Sequence, residues 1–208
     1  LVKYGLVPDS QLCTDDFAGH LDKNANLAVK SIVGIHCFAK IAEALGKSDL
    51  AAEYFALARS YADEWKTLYN DGDHTMLCLD NHDSYSLKYN MAIDKLLGAE
   101  LFDEELVQKE LRYYDKMAGK YGVPLDTRNT YTKTDWMLWV ASLGDNAEVD
   151  KYASYIVDFF ADTPQRVPFS DWIDTNEPKY YNFRNRTVQG GLFLPILRAQ
   201  WSKLCKIK

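Results

Sequence analysis

Four segments of this chain gather the side chains that could do chemistry. The first holds Asp15 and Asp16 side by side, with His20 four residues on. Adjacent carboxylates and an imidazole offer an acid, a base and an orienting group. The third runs from Asp126 to Trp136 and packs Asp126, Arg128, Lys133 and Asp135 among five hydroxyl side chains. The fourth places Asp171 and Asp174 around Trp172, then Arg184 and Arg186, then Gly190 and Gly191. Carboxylates beside an aromatic platform suit hydrolysis, and paired arginines suit bidentate recognition of a substrate carboxylate. Each pattern also has a plainer reading: acids that serve a helix start, or an ion-pair network that braces a long loop.

The second segment, Asp71-Gly72-Asp73-His74 with Asp80-Asn81-His82-Asp83, has the residue types of a metal site without the spacing of one. Turn chemistry accounts for it, so no metal and no cofactor is expected. Thr130-Tyr131-Thr132-Lys133 echoes a Ser-x-x-Lys nucleophile motif but has no companion motif. Cys13, Cys37, Cys78 and Cys205 show no paired spacing and are read as reduced thiols. Asn185-Arg186-Thr187 matches a glycosylation sequon, a match that chance often supplies.

Helices must position these segments. Leu45-Gly46, Leu97-Gly98 and Leu143-Gly144 each end an apolar helical pattern, where glycine accepts a left-handed backbone without steric cost. An acid-rich helix start follows each, at Ser48-Asp49, Asp103 to Glu105, and Asp145 to Glu148. The first helices, around Ala28 to Phe38, Trp136 to Ala141 and Leu192 to Leu197, are apolar nearly all round and are expected in an inner layer. The second helices carry one stripe, as in Leu50, Tyr54, Leu57, Ala58, Tyr61, Trp65 and Leu68, and belong outside. A last inner helix is expected from about Val188 to Leu204. The long connections all precede a first helix, so the four segments are expected at one end of the helix layers.

Composition excludes some roles. Lys and Arg number 24 against 30 Asp and Glu, a net charge of −6, which argues against a nucleic-acid backbone binder. The longest apolar run, Gly190 to Leu197, is too short to cross a membrane. Aromatic residues make up 13%, with fourteen Tyr and five Trp, which suits both a wet core and a sugar- or substrate-lined cleft. The 208 residues read as one all-α domain, and the opening Leu1-Val2-Lys3 suggests a piece of something longer.

The strings Thr14 to His20, Tyr121 to Arg128, Thr130 to Trp136 and Arg184-x-Arg186-x-Val188-x-Gly190-Gly191 resemble the glutaminase A family. The resemblance covers nearly the whole chain. It implies the helical part of an (α/α)6 toroid like that of six-hairpin glycosidases, from a secreted or periplasmic protein of fungal or bacterial origin. It also implies hydrolysis of L-glutamine to glutamate and ammonia. With about seven helices in place of twelve, this chain would be the C-terminal half of a ring. Its partners would then be the N-terminal domains of the parent, or a second copy through an open apolar flank.

The resemblance supplies no catalytic assignment; from the residues themselves Asp15, Asp16, Asp135 and Asp171 are the candidate catalytic residues, Asp16 or Asp171 acting as acid and base. Arg128 and Arg184 would hold the substrate α-carboxylate, with His20, Lys133, Trp136, Trp172, Asp174 and Arg186 lining the site. A glycoside hydrolase pairing Asp16 with Asp171 or Asp135 is the alternative. A non-catalytic module that completes a ring is the third reading.

Overall fold

The computed structural model describes residues 1–204 apart from 14, 166 and 167, with Ser202 described in its backbone only. Thr14, Arg166 and Cys205, each part of a pattern noted above, lie outside the described residues. Among these the fold is all-α: seven α-helices, two short 3-10 turns and two small two-stranded sheets. The chain forms two compact units, Leu1–Glu104 and Glu105–Lys208.

In the first unit, α1 (Ala25–Ala44) and α2 (Ser48–Leu68) form a hairpin around Gly46, whose φ of 71° is the left-handed turn that glycine permits. Asn24 caps α1 by accepting from the Leu27 amide at 2.8 Å. The helices meet through small residues: Ala25, Ala28, Ala39 and Ala42 of α1, and Ala51, Ala58 and Ala62 of α2, are all buried. Trp65 locks the pair by donating its indole N–H to the Ala25 carbonyl at 3.0 Å. The stripe predicted for α2 is therefore present but centred on alanines, with Leu50, Leu57 and Leu68 at its edges. α1 has the length and hydropathy (1.2) of a membrane span, yet 61% of that window is buried within the protein, as in a core helix.

α1 is not apolar-buried throughout: Phe38 and Ile41 are exposed along one side of its C-terminal half, and so is Leu45 just after it. The short α3 (Met91–Leu97) ends at Gly98 in the left-handed conformation, as its Leu-Gly predicts. Buried Asp94 then braces the following turn, accepting from the Leu101 and Phe102 amides.

The second unit contains α4 (Glu104–Met117, its first residue in the other unit), α5 (Thr134–Ala141), α6 (Asn146–Asp162) and α7 (Leu194–Leu204). α5 is buried on all sides, as predicted for an inner helix. α6 starts at an Asp145 cap that accepts from the Glu148 amide at 3.0 Å. Gly144 departs from expectation: it has no positive φ, and a Cβ there would lie 2.7 Å from Glu148 Cβ. It is a close-approach glycine, not a left-handed terminator.

The last inner helix is also different. Residues Thr187–Phe193 form a 3-10 turn, and α7 begins only at Leu194. Two glycines weaken α-helix at its start, and Pro195 fits a first turn, where its missing N–H costs nothing. Of α7's apolar residues Leu194 is buried, while Ile196, Leu197 and Leu204, with Phe193 before it, are exposed. Cys13, Cys37 and Cys78 form no disulfide among the described residues.

The four chemical segments pair two by two. In the first unit the entry segment meets the second: Lys23 pairs with Asp80 at 3.0 Å, and the Ala25 amide donates to the Leu77 carbonyl. In the second unit, β3 (Tyr131–Lys133) of the third segment runs antiparallel to β4 (Trp172–Asp174) of the fourth.

Candidate functional site

The β3–β4 pair joins residues forty apart in sequence because both strands are short runs of aromatic and β-branched side chains. Tyr131 faces Asp174, Thr132 faces Ile173, and Lys133 faces Trp172. The ladder continues one step into α5, where the Thr134 amide donates to the Asp171 carbonyl at 3.0 Å. Strand and helix therefore meet at Lys133, and this junction brings Lys133, Asp135 and Asp171 together.

The resulting cluster is nearly dry. Only 1% of the Lys133 side chain, 5% of Asp135 and none of Asp171 reaches solvent. Lys133 Nζ forms an ion pair with Asp171 Oδ2 and lies 3.3 Å from Asp135 Oδ1. Arg186 closes the cluster from outside, donating from Nη2 to Asp171 Oδ2 at 2.7 Å and from Nε to Oδ1 at 3.2 Å. Both cations rest on rings: Lys133 Nζ is 4.7 Å from the Trp136 centroid, and the Arg186 guanidinium is 3.7 Å from that of Phe183.

The two carboxylates respond in opposite directions. Burial pushes the Asp135 carboxyl above its ordinary range, and Lys133 only partly offsets this. Burial acts on Asp171 too, but its hydrogen bonds from Arg186 and Lys133, and their charges, hold it below that range. Two neighbouring carboxyls with separated proton affinities form the pattern of an acid beside a fixed anion.

The other candidates have different surroundings. Asp126 folds Arg128 back onto itself, accepting from its backbone amide, Nε and Nη2 at 2.6–2.9 Å. Asp174 accepts from Thr130, Tyr181 and the Asn176 and Glu177 amides, which ties the β3–β4 ends together. Trp172 stacks on Tyr181 at 4.7 Å and touches Phe183 at 4.9 Å. Arg184 is exposed, over the ring of Tyr180. Thr130, the position of the Ser-x-x-Lys echo, donates to Asp174 rather than facing Lys133.

Asp15, Asp16 and His20 belong to the first unit. Asp15 is buried, while Asp16, in the 3-10 turn Asp16–Ala18, and His20, on a strand His20–Leu21, are exposed. The acidic loop of the second segment is a brace: Asp71 pairs with His82 at 2.9 Å and accepts from the Asp83 amide at 2.8 Å. No group of three metal-ligating side chains occurs among the described residues.

Sequence reading passed over two residues. Phe183 is the ring that Arg186 lies on, and its signal was the aromatic run Tyr180, Tyr181, Phe183. Lys88 is fully buried in the first unit, its Nζ donating to the Thr75 and Ser86 carbonyls and to Ser86 Oγ. Its signal was a repeat: Ser84-Tyr85-Ser86-x-Lys88 precedes α3 as Thr130-Tyr131-Thr132-Lys133 precedes α5.

Residues 1–196 match the family model described as the glutaminase A six helical-hairpin domain. The chain is 36% identical over 93% of its length to "Glutaminase A" of Aspergillus oryzae. It is 33% identical over 93% of its length to a "Probable glutaminase" of Arthroderma benhamiae. It spans only 29% and 26% of the lengths of these two relatives. The chain belongs to the glutaminase A six helical-hairpin family.

Proposed function

We propose that this chain is the helical part of an amide hydrolase that releases ammonia from glutamine, with Lys133, Asp135, Asp171 and Arg186 as its chemical centre. The relatives' printed name supplies the substrate class. The carrying observation is one buried lysine shared by two carboxyls whose proton affinities are driven apart. Amide hydrolysis needs a proton at the leaving nitrogen. Asp135, the carboxyl whose proton affinity burial raises, donates a proton as the C–N bond breaks. Water supplies the hydroxyl to the carbonyl carbon, and its remaining proton returns to Asp135. Asp171 stays ionised and fixes the two cations, whose charge favours the developing oxyanion. Arg184, exposed on the Tyr180 ring, anchors the substrate α-carboxylate.

The test is ammonia release from glutamine by the full-length protein that carries this chain. Asp135→Asn should lower kcat by about 100-fold or more, the usual contribution of a general acid. Unchanged turnover in Asp135→Asn overturns the reading.

A glycan substrate is the second reading, favoured by the Trp172–Tyr181–Phe183 stack beside the cluster. The shared Lys133 contact keeps the two carboxylates within about 6 Å, near the separation in retaining glycosidases. Hydrolysis of aryl glycosides with no ammonia release would select this reading over the first.

A further inference from the structure

One stretch of chain touches both carboxyls, and it touches them differently. Arg186 grips Asp171 with two hydrogen bonds. Five residues later, in the 3-10 turn Thr187–Phe193, Gly191 lies against α5. A Cβ at Gly191 would sit 2.6 Å from Trp139 Nε1, closer than real side chains approach without movement, and 3.0 Å from Asp135 Cβ, a tight contact that would make it give by a few tenths of an ångström. Gly190 next to it has nothing within 4 Å of the same position. Neither glycine has a positive φ, so Gly191 is required for space and not for backbone conformation.

We propose that Arg186 and the turn after it act as one strap, which holds Asp171 by charge and Asp135 by exclusion of bulk solvent, with Gly191 as the positioning residue through which Asp135 becomes a proton donor. This deepens the amide-hydrolase reading and rests on it only for the last clause. The charges that act on Asp135 are Lys133 from β3 and Asp171 from the segment before β4. Arg198 of α7 faces the other end of α5, where it donates to the Ser142 and Gly144 carbonyls. Gly191 adds no charge. Its effect is to let backbone pack where a side chain would hold the turn away and admit water, and desolvation favours the neutral acid.

The experiment is a 13C titration of the aspartate carboxyls in the intact chain, with Asp135 assigned by the signal lost in Asp135→Asn. The Asp135 midpoint should lie above the ordinary carboxylate range. Gly191→Ala should move it down, Gly190→Ala should leave it in place, and Trp139→Phe combined with Gly191→Ala should restore it by making room. Arg186→Gln should raise the Asp171 midpoint. If Gly191→Ala does not fold, Trp139→Ala opens the same wall from the α5 side and should give the same downward shift. An ordinary midpoint for Asp135, no shift in the variant that folds, or equal shifts at 190 and 191 overturns the strap. Because the readout is a titration, it separates the two ideas. The predicted shifts without ammonia release leave the strap standing and remove the activity; ammonia release with an ordinary Asp135 does the reverse.

Discussion

Lys133 lies between Asp135 and Asp171 with its ammonium 3.3 Å from the first and in direct ion-pair contact with the second. The arrangement predicts opposite consequences for two conservative changes. Asp171→Asn leaves Lys133 and Arg186 without the anion that compensates them. Breaking a buried pair in this way costs about 3–5 kcal/mol. Asp135→Asn removes a carboxyl that burial already disfavours as an anion, and Asp171 still serves Lys133. It should be neutral or stabilising at pH 7. Chemical denaturation of the two variants checks the sign.

The pH dependence of stability follows from the same pair. Asp171 has a depressed folded pKa, so its contribution is present above the unfolded value of about 3.9 and is lost as pH falls through the folded one. Asp135 has a raised folded pKa, so its contribution is complete below about 3.9 and is lost as pH rises through the folded one. The two groups interact and titrate as a pair. Asp171→Asn should flatten the acid side of the stability profile, and Asp135→Asn should flatten the decline above it. Melting temperatures measured across acid and neutral pH give both slopes.

Asp174 makes a different prediction from its neighbour Asp171, although both were read as parts of one site. Its acceptors are filled by Thr130, Tyr181 and two backbone amides, all from the chain itself. Asp174→Ala should cost about 1–3 kcal/mol through the loss of these hydrogen bonds to a carboxylate, whose donors sit on exposed or half-buried residues. In the full-length protein it should leave KM for glutamine unchanged when assayed well below the melting temperature. A raised KM with unchanged stability would make Asp174 a substrate ligand instead.

Helix type and hairpin order were legible in the sequence because burial imposes a periodicity that any apolar helix must show. Trp136 to Ala141 reads as buried on all sides, and it is. The chemical cluster was only half legible. Residue types marked Lys133, Asp135, Asp171 and Arg186 separately, but nothing local sets the register that puts Lys133 opposite Trp172. That register depends on a strand pairing between distant segments. The fate of Arg128 was equally hidden, since a bidentate partner two residues away competes with any ligand. The failed stretch, Val188 to Leu204, is where two glycines outweigh the apolar pattern: they weaken an α-helix there, and Gly191 lets the turn pack against Asp135.

The Leu-Gly pairs give a last test, because one motif serves two physical needs. Gly46 has φ 71° and open space around its missing Cβ, so its cost of replacement is conformational. Gly46→Ala should destabilise by about 1–2 kcal/mol, the left-handed penalty for an L-residue. Gly46→Asn should recover much of that, since asparagine tolerates the left-handed region. Gly144 has an ordinary backbone, but a Cβ added to it would meet Glu148 Cβ at 2.7 Å and Cγ at 2.8 Å. Gly144→Ala should cost about 1–3 kcal/mol through overpacking against the first turn of α6. Gly144→Asn should be worse, not better, because it adds bulk where space is the constraint. Thermal melts of the four variants decide the matter: a gain from asparagine at 144, or none at 46, would refute the division.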